Sequence, residues 1–233
     1  MDHKGQIAAA RLTGIWYLLL AISGVLGFLV FHPQIFVSDN PEKTLTNLLE
    51  LESTSRIRLM LEVVIIASQA LTAVWFYKLF REINAWAAFA IGSWGLMNSA
   101  AIMVSAISMG SAIAVANSAA PTFQEKVILI QVLSNIISNA WTIGGLFFGL
   151  WLIPMGYIIV TSKCMPIWLG RTLMIGGTGY VLSLFIKCSG LTNSLPDILT
   201  FPATLGEFWM IGYLLMYGIR PVQTIELQQD NQS

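Results

Sequence analysis

Hydrophobic residues fall along this chain in long runs, each bounded by a small cluster of charge. The clearest pair spans Asn139 to Tyr180. Ala140 to Val160 carries no charge for about twenty residues, the length an α-helix needs to cross roughly 30 Å of hydrocarbon. Lys163 and Arg171 bracket a turn at Pro166, and Trp168 to Ile186 resumes the apolar phase. Such a hairpin folds in lipid because each helix satisfies its own backbone N–H and C=O groups.

The remaining runs follow the same logic. Lys4 and Arg11 precede Leu12–Phe31, which is longer than a secretory apolar region and has no A-x-A-type site after it. It reads as a retained first transmembrane helix. Gly14, Tyr17, Ala21, Gly24 and Phe28 share one face with room for close contact, and His32-Pro33 is expected to end the helix. Residues 33–57 form the longest polar stretch. In it Asp39 or Asn40 can cap a helix that opens with Pro41. Leu45, Leu48 and Leu49 recur there at helical spacing, while Glu42, Lys43, Asn47 and Glu50 point elsewhere. A short amphipathic helix on the membrane or over the bundle mouth fits this pattern, and so does a packed surface loop.

Helix two is expected from Arg56 or Arg58 to Tyr77. It carries Glu62, Gln69 and Thr72 on one stripe, with Arg58 one turn above Glu62. An ionisable group inside a span is a functional hypothesis; the alternative is an interfacial ion pair. Helix three, Trp86 to about Ala116, has a seam of Gly95, Asn98, Ala101, Ser105, Ser108 and Ala112. Small side chains at alternating three- and four-residue steps favour close helix packing over a polar pathway, though the Asn98 amide needs partners at depth.

Val127 to Val160 would cover about 50 Å as one helix, too long for a perpendicular span. Its first half either projects beyond the lipid or breaks from the rest near Gly144-Gly145. The stripe Gln131, Asn135, Ser138 and Thr142, with Asn139 beside it, is expected to face the protein interior, since amides facing lipid are costly. Gly145-x-x-x-Gly149 is a close-contact motif, and Pro154 a candidate kink. Helix five holds Gly176, Gly177, Gly179, Tyr180 and Ser183 and ends at Lys187. Helix six is expected from Pro202 to Ile219. Thr204-x-x-Glu207 at its start has capping-box spacing, which makes Glu207 a helix cap.

The fold class is therefore all-α: a polytopic transmembrane bundle of six helices with a short outer amphipathic helix. Residues 1–220 form one domain and residues 221–233 a polar cytoplasmic tail. Composition agrees. Of 233 residues 56% are hydrophobic and 10% charged, with mean hydropathy +0.72, too few charges to cover a water-facing surface. Formal net charge is zero and no basic run occurs, which argues against nucleic acid as a partner and leaves membrane lipid as the expected one. Cys164 and Cys188 fall at opposite ends of one helix and cannot bridge.

Six spans place both termini on one side. With the termini in the cytoplasm, Lys4, Arg11, Lys78, Arg81, Lys163, Arg171 and Arg220 lie inside, and Lys43, Arg56, Arg58, Lys126 and Lys187 outside. Seven against five agrees with the positive-inside rule. The expected location is a bacterial cytoplasmic (inner) membrane.

Two residue clusters resemble a known family. One is Asn47, Glu52-Ser53, Arg56 and Glu62, similar to an Asn–Glu–Arg–Asp pattern with Glu62 in place of Asp. The other, more specific, is Phe148-Gly149, Gly156-Tyr157, Ser162, Pro166, Leu169-Gly170, Gly176-Gly177 and Tyr180. Over residues 8 to 220 the chain resembles the bacterial integral membrane proteins grouped as domain of unknown function four-three-eight-six. Relatives often show Phe-Arg early in helix three where this chain has Trp94-Gly95, so any role of that arginine is absent or relocated. The resemblance implies a six-helix membrane protein and specifies no activity.

Enzyme motifs are missing: no H-E-x-x-H, G-x-S-x-G, Walker loop or C-x-x-C occurs, and the histidines are His3 and His32. No metal site and no cofactor is expected. Three functions compete. A polar-lined bundle can bind or move a small or amphiphilic molecule, with Asn47, Glu52, Arg56, Glu62, Gln69, Asn98, Asn135 and Asn139 as candidate site residues. An intramembrane enzyme can use Glu52, Arg56 and Glu62 near the outer face for acid–base work. A structural or accessory subunit would need only packed polar groups. Polar stripes on three helices favour the first.

Overall fold

Each apolar run becomes a helix long enough to cross a bilayer, and the six close into a ring. The computed structural model describes residues 3–190 and 194–221, and among these it contains helices and no strand. All of the expected tail, 221–233, except its first residue lies outside the described residues. Helix α1 (His3–Val25) continues through a π-helical segment (Leu26–Phe31) into the one-turn α2 (His32–Ile35). The other elements are α3 (Pro41–Glu50), α4 (Glu52–Phe80), α5 (Ala85–Asn117), α6 (Phe123–Ser162), α7 (Ile167–Cys188) and α8 (Leu195–Met216). Around the ring α1 packs on α4, α4 on α5, α5 on α6, α6 on α7 and α7 on α8. The ring closes where α8 returns to α1, its thinnest seam.

Several boundaries differ from the sequence expectation, each for a local reason. The first span does not stop at His32-Pro33. Pro33 instead enters the first turn of α2, where a proline lacks nothing it needs. The π segment before it re-spaces the backbone ladder: His32 N–H bonds to Gly27 O, and the Gln34 side chain takes the Val30 carbonyl at 2.6 Å. Local π adjustment of this kind lets transmembrane helices tolerate proline. Helix α6 does not break at Gly144-Gly145; it is one helix of 40 residues, about 60 Å long. Helix α8 begins at Leu195, with Pro196 in its first turn, so Pro202 lies inside the helix rather than at its start.

The short helix α3 forms as expected. Asn40 caps it by accepting the Lys43 N–H at 2.9 Å, with Pro41 in the first turn. It lies over one end of the bundle, against α5 and α6. Its buried face is Thr44, Leu45, Asn47 and Leu48, while Leu49 points outward. Asn47 takes the inward place expected of Leu49 because its amide donates to the carbonyls of Gln34 (3.1 Å) and Ile35 (3.2 Å), fastening α3 to α2.

Glycine explains how closely the 139–180 hairpin packs. A Cβ on Gly149 would sit 2.6 Å from Gly177 O, and one on Gly177 would sit 2.7 Å from Gly149 O. Gly156 and Gly170 make the same reciprocal approach one turn pair further along. Helices α6 and α7 thus touch backbone to backbone where lipid offers no hydrophobic drive to hold them. Behind this contact lies the larger core, with Tyr17, Phe76, Phe80, Trp151, Met155 and Leu173 fully buried at the end that carries both described chain termini. A second core, with Ile35, Leu45, Leu48, Met109 and Ile130, fills the α3 end. Cys164 and Cys188 are free thiols at the two ends of α7.

Candidate functional site

Between the two cores the polar stripe of α4 meets its partners. Arg58 and Glu62 are one helical turn apart and both fully buried, at 1% and 0% exposure. Arg58 Nη1 donates to Glu62 Oε2 at 2.9 Å. The other carboxylate oxygen, Oε1, accepts from Ser105 Oγ of α5 at 2.5 Å and from Trp141 Nε1 of α6 at 3.0 Å. Phe28, set by the π segment, lies over the Arg58 guanidinium (4.8 Å to the ring centroid) and edge-on to Trp141 (4.1 Å between centroids). A buried carboxylate that receives a cation and two neutral donors has its charge answered and its lone pairs occupied. This cluster joins four spans and leaves little of Glu62 free for chemistry.

Two helical turns further along α4, Gln69 opens onto a different space. The centre of the ring encloses a cavity of about 320 Å³ to which all six spans contribute. Most of its wall is apolar: Leu20, Ile65, Ile102, Phe148 and Ile211 among others. A few polar groups converge on it. Gln69 is fully buried; its Nε2 donates to Gly95 O at 3.5 Å, and its Oε1 has no hydrogen-bond partner among the described residues. Asn98 and Tyr180 line the same wall, with Tyr180 edge-on to Phe148 at 5.2 Å. From α8 comes Glu207, whose Oε1 accepts the Tyr17 hydroxyl at 2.6 Å. Among the described residues no cation pairs with this carboxylate, and no Lys or Arg lines the cavity.

The cavity opens sideways. Val25 of α1 and Phe208 of α8 line it and are also exposed on the bundle surface, at 43% and 54%. They flank the thin α1–α8 seam, so the mouth faces the surroundings of the bundle wall rather than either end.

The eight residues singled out from sequence separate into four places. Gln69 and Asn98 line the central cavity. Glu62 lies in the closed cluster with Arg58. Glu52 and Arg56 pair on the exposed first turns of α4, with Arg56 Nη2 2.6 Å from Glu52 Oε1, and do not meet Glu62. Asn47 is committed to fastening α3. The α6 stripe does not face the interior as expected. Gln131, Asn135, Ser138 and Asn139 are exposed; the first three border a polar groove of about 610 Å³ at the α3 end, facing His32 and the 36–41 loop, and Asn139 lies outside it. At about 60 Å, α6 outruns the hydrocarbon, so amides in its first half need no protein shelter.

Glu207 was misread most. It is not a cap: α8 starts three turns before it, which puts the carboxylate on the inner face at mid-helix. A capping box does occur in the chain, at Thr122-x-x-Glu125 at the start of α6, where both reciprocal bonds form. Tyr17, 190 residues from Glu207 in sequence, and Trp141 had no local signal at all. What could have marked Glu207 is its place as the lone acid within Leu199–Ile219, an apolar run.

The family model described as "Domain of unknown function (DUF4386)" matches residues 12–218 of this sequence. The chain belongs to that family. Its membership covers all six spans; of the second cluster, Gly149, Gly156, Gly170 and Gly177 make the α6–α7 contact, while Gly176 packs against Ala203 of α8. At Trp94-Gly95 of α5, Gly95 is pressed against Ala73 and Trp151, with 2.6 Å between an added Cβ and Ala73 Cβ. No side chain fits there in this member. The chain is also 32% identical over 69 residues to an "Uncharacterized protein" of Archaeoglobus fulgidus, a match covering 30% of this chain and 43% of that protein. The chain thus spans less than half the length of this curated relative. No solved structure matches it.

Proposed function

We propose that this family member binds a small amphiphilic molecule in the central cavity, admitting it from the lipid between α1 and α8. The observation that carries this reading is a largely apolar chamber, lined from all six spans, with a few polar groups converging inside it. That combination is the usual make-up of a small-molecule site. The Glu62 cluster supports the wall: it ties α1, α4, α5 and α6 together beside the chamber. The enzyme alternative has less support, since Glu52 and Arg56 share no cleft with Glu62.

The test is occupancy. Native mass spectrometry of the protein released from lipid nanodiscs should show a bound amphiphile in the wild type. Ala21→Trp, which places an indole in the cavity, should lose it. Equal occupancy in both would refute the reading.

The proposed placement is a cytoplasmic membrane with both termini inside and α3 outside, supported by the distribution of basic residues. Cys188 is exposed at the α3 end of α7, whereas Cys164 is buried in the α6–α7 turn. Burial also pushes the Cys164 thiol above its ordinary range and keeps it protonated. An impermeant maleimide added to intact cells should therefore label Cys188 and spare Cys164. Labelling of Ser233→Cys from outside would invert the topology.

A further inference from the structure

Resting on the cavity reading, we infer that the ligand carries a cationic amine head, held by the Glu207 carboxylate, Gln69 Oε1 and the surrounding aromatic faces. Beside the Asn98 amide and the Tyr180 and Thr204 hydroxyls, two of the chamber's polar groups are acceptors short of a donor. Glu207 brings a carboxylate whose described partner is the neutral Tyr17 phenol. Gln69 directs one of its two amide N–H groups at Gly95 O, and its buried Oε1 is left without a donor. An ionised carboxylate in an apolar chamber is costly unless a cation meets it. The nearest buried cation, Arg58, is committed to Glu62 and does not line the chamber.

The rings point the same way. Tyr17, Trp141, Phe148, Tyr180 and Phe208 all border the cavity. The Trp141 N–H is turned away to Glu62 and Ser105, which leaves its ring as the part available to the chamber. Aromatic faces attract ammonium groups once water is excluded, and an ammonium supplies the N–H donors that Gln69 Oε1 and the second Glu207 oxygen lack. An anion would meet a carboxylate and no positive charge. A neutral head would leave the carboxylate unanswered. The apolar remainder of the molecule leaves through the mouth between Val25 and Phe208.

Three probes of similar size and different charge test this: benzylamine, benzyl alcohol and benzoate, titrated at neutral pH against the protein in zwitterionic nanodiscs with thermal stabilisation as the readout. Benzylamine should act at concentrations at least tenfold lower than benzyl alcohol, and benzoate should give no shift. Glu207→Gln should bring amine and alcohol to within about twofold while leaving alcohol binding in place. Should that variant fail to fold, Gln69→Met serves, weakening the amine more than the alcohol, since the charged donor loses the stronger hydrogen bond. If the wild type binds alcohol or benzoate as well as the amine, or if Glu207→Gln keeps the full preference, the amine inference is overturned while the cavity reading stands. If all three probes act equally on the wild type and on Ala21→Trp, both fall.

Discussion

Glu62 and Glu207 are two acids inside one bundle, and their surroundings differ in kind. Glu62 has a cation one turn away, a serine from the next helix and an indole from the one after, so every oxygen is used within the protein. Glu207 has one phenol and an aromatic chamber. The first arrangement is complete without a ligand. The second has one neutral partner and open space beside it. Burial of an ionisable residue in a membrane span is thus not by itself a functional sign; what separates the two is whether the protein supplies the counter-charge.

The largest expected effect comes from breaking the complete site. Glu62→Ala would leave Arg58 buried opposite an empty position, a loss on the order of 3–5 kcal/mol, seen as a steep fall in melting temperature in detergent. Replacing both partners, Arg58→Met with Glu62→Leu, should recover most of it, because no buried charge is then unpaired and Trp141 Nε1 keeps Ser105 Oγ as its acceptor at 3.0 Å. If the double variant is no better than Glu62→Ala, the pair is not coupled and the contrast with Glu207 fails.

Next is the packing that frames both sites. On α5, Gly95, Asn98, Ser105, Ser108 and Ala112 are buried, and Ala101 is partly buried toward Gly144 of α6, 3.6 Å from where a Cβ there would lie. Ala101→Leu should cost about 1–3 kcal/mol through overpacking. An unchanged melting temperature would mean the α5–α6 contact is looser than drawn.

These features were legible from sequence to different depths. The seam of α5 and the glycines of the α6–α7 hairpin showed in spacing alone, because small-residue packing is a property of a helix face and its period. The Arg58–Glu62 pair was visible as a one-turn step on α4. Its closure by Ser105 and Trp141 was not, since that depends on which helices become neighbours. Glu207 was missed because a false start at Pro202 moved it to a helix end, where a cap explained it away; Pro196 starts the helix instead. The α6 amides were placed inside because amides facing lipid are costly, but the run's excess length already allowed its first half to project beyond the hydrocarbon, where that cost does not apply.

Glu207→Gln should be mild for folding. The amide keeps an oxygen for the Tyr17 hydroxyl and removes the charge, so stability should change by no more than about 1 kcal/mol. Set beside the several kcal/mol of Glu62→Ala, that difference measures how much of each acid serves the fold. A Glu207→Gln variant as unstable as Glu62→Ala would make Glu207 a structural residue with partners the ring does not account for.

The smallest effect is expected at a third acid, Glu52, and it calibrates the other two. Glu52 and Arg56 form a short contact, 2.6 Å, with two bonds from the guanidinium to one carboxylate oxygen, yet their side chains remain 42% and 63% exposed. Water competes for both groups, salt screens them, and holding two long side chains in one geometry costs entropy. Arg56→Ala should therefore change stability by about 0.5 kcal/mol or less, and less still in high salt. By distance alone this pair is the tighter of the two on α4, shorter than the 2.9 Å between Arg58 and Glu62. A melting-temperature loss for Arg56→Ala that approached that of Glu62→Ala would mean burial is not what sets the scale, and the ranking of all three acids would have to be redrawn.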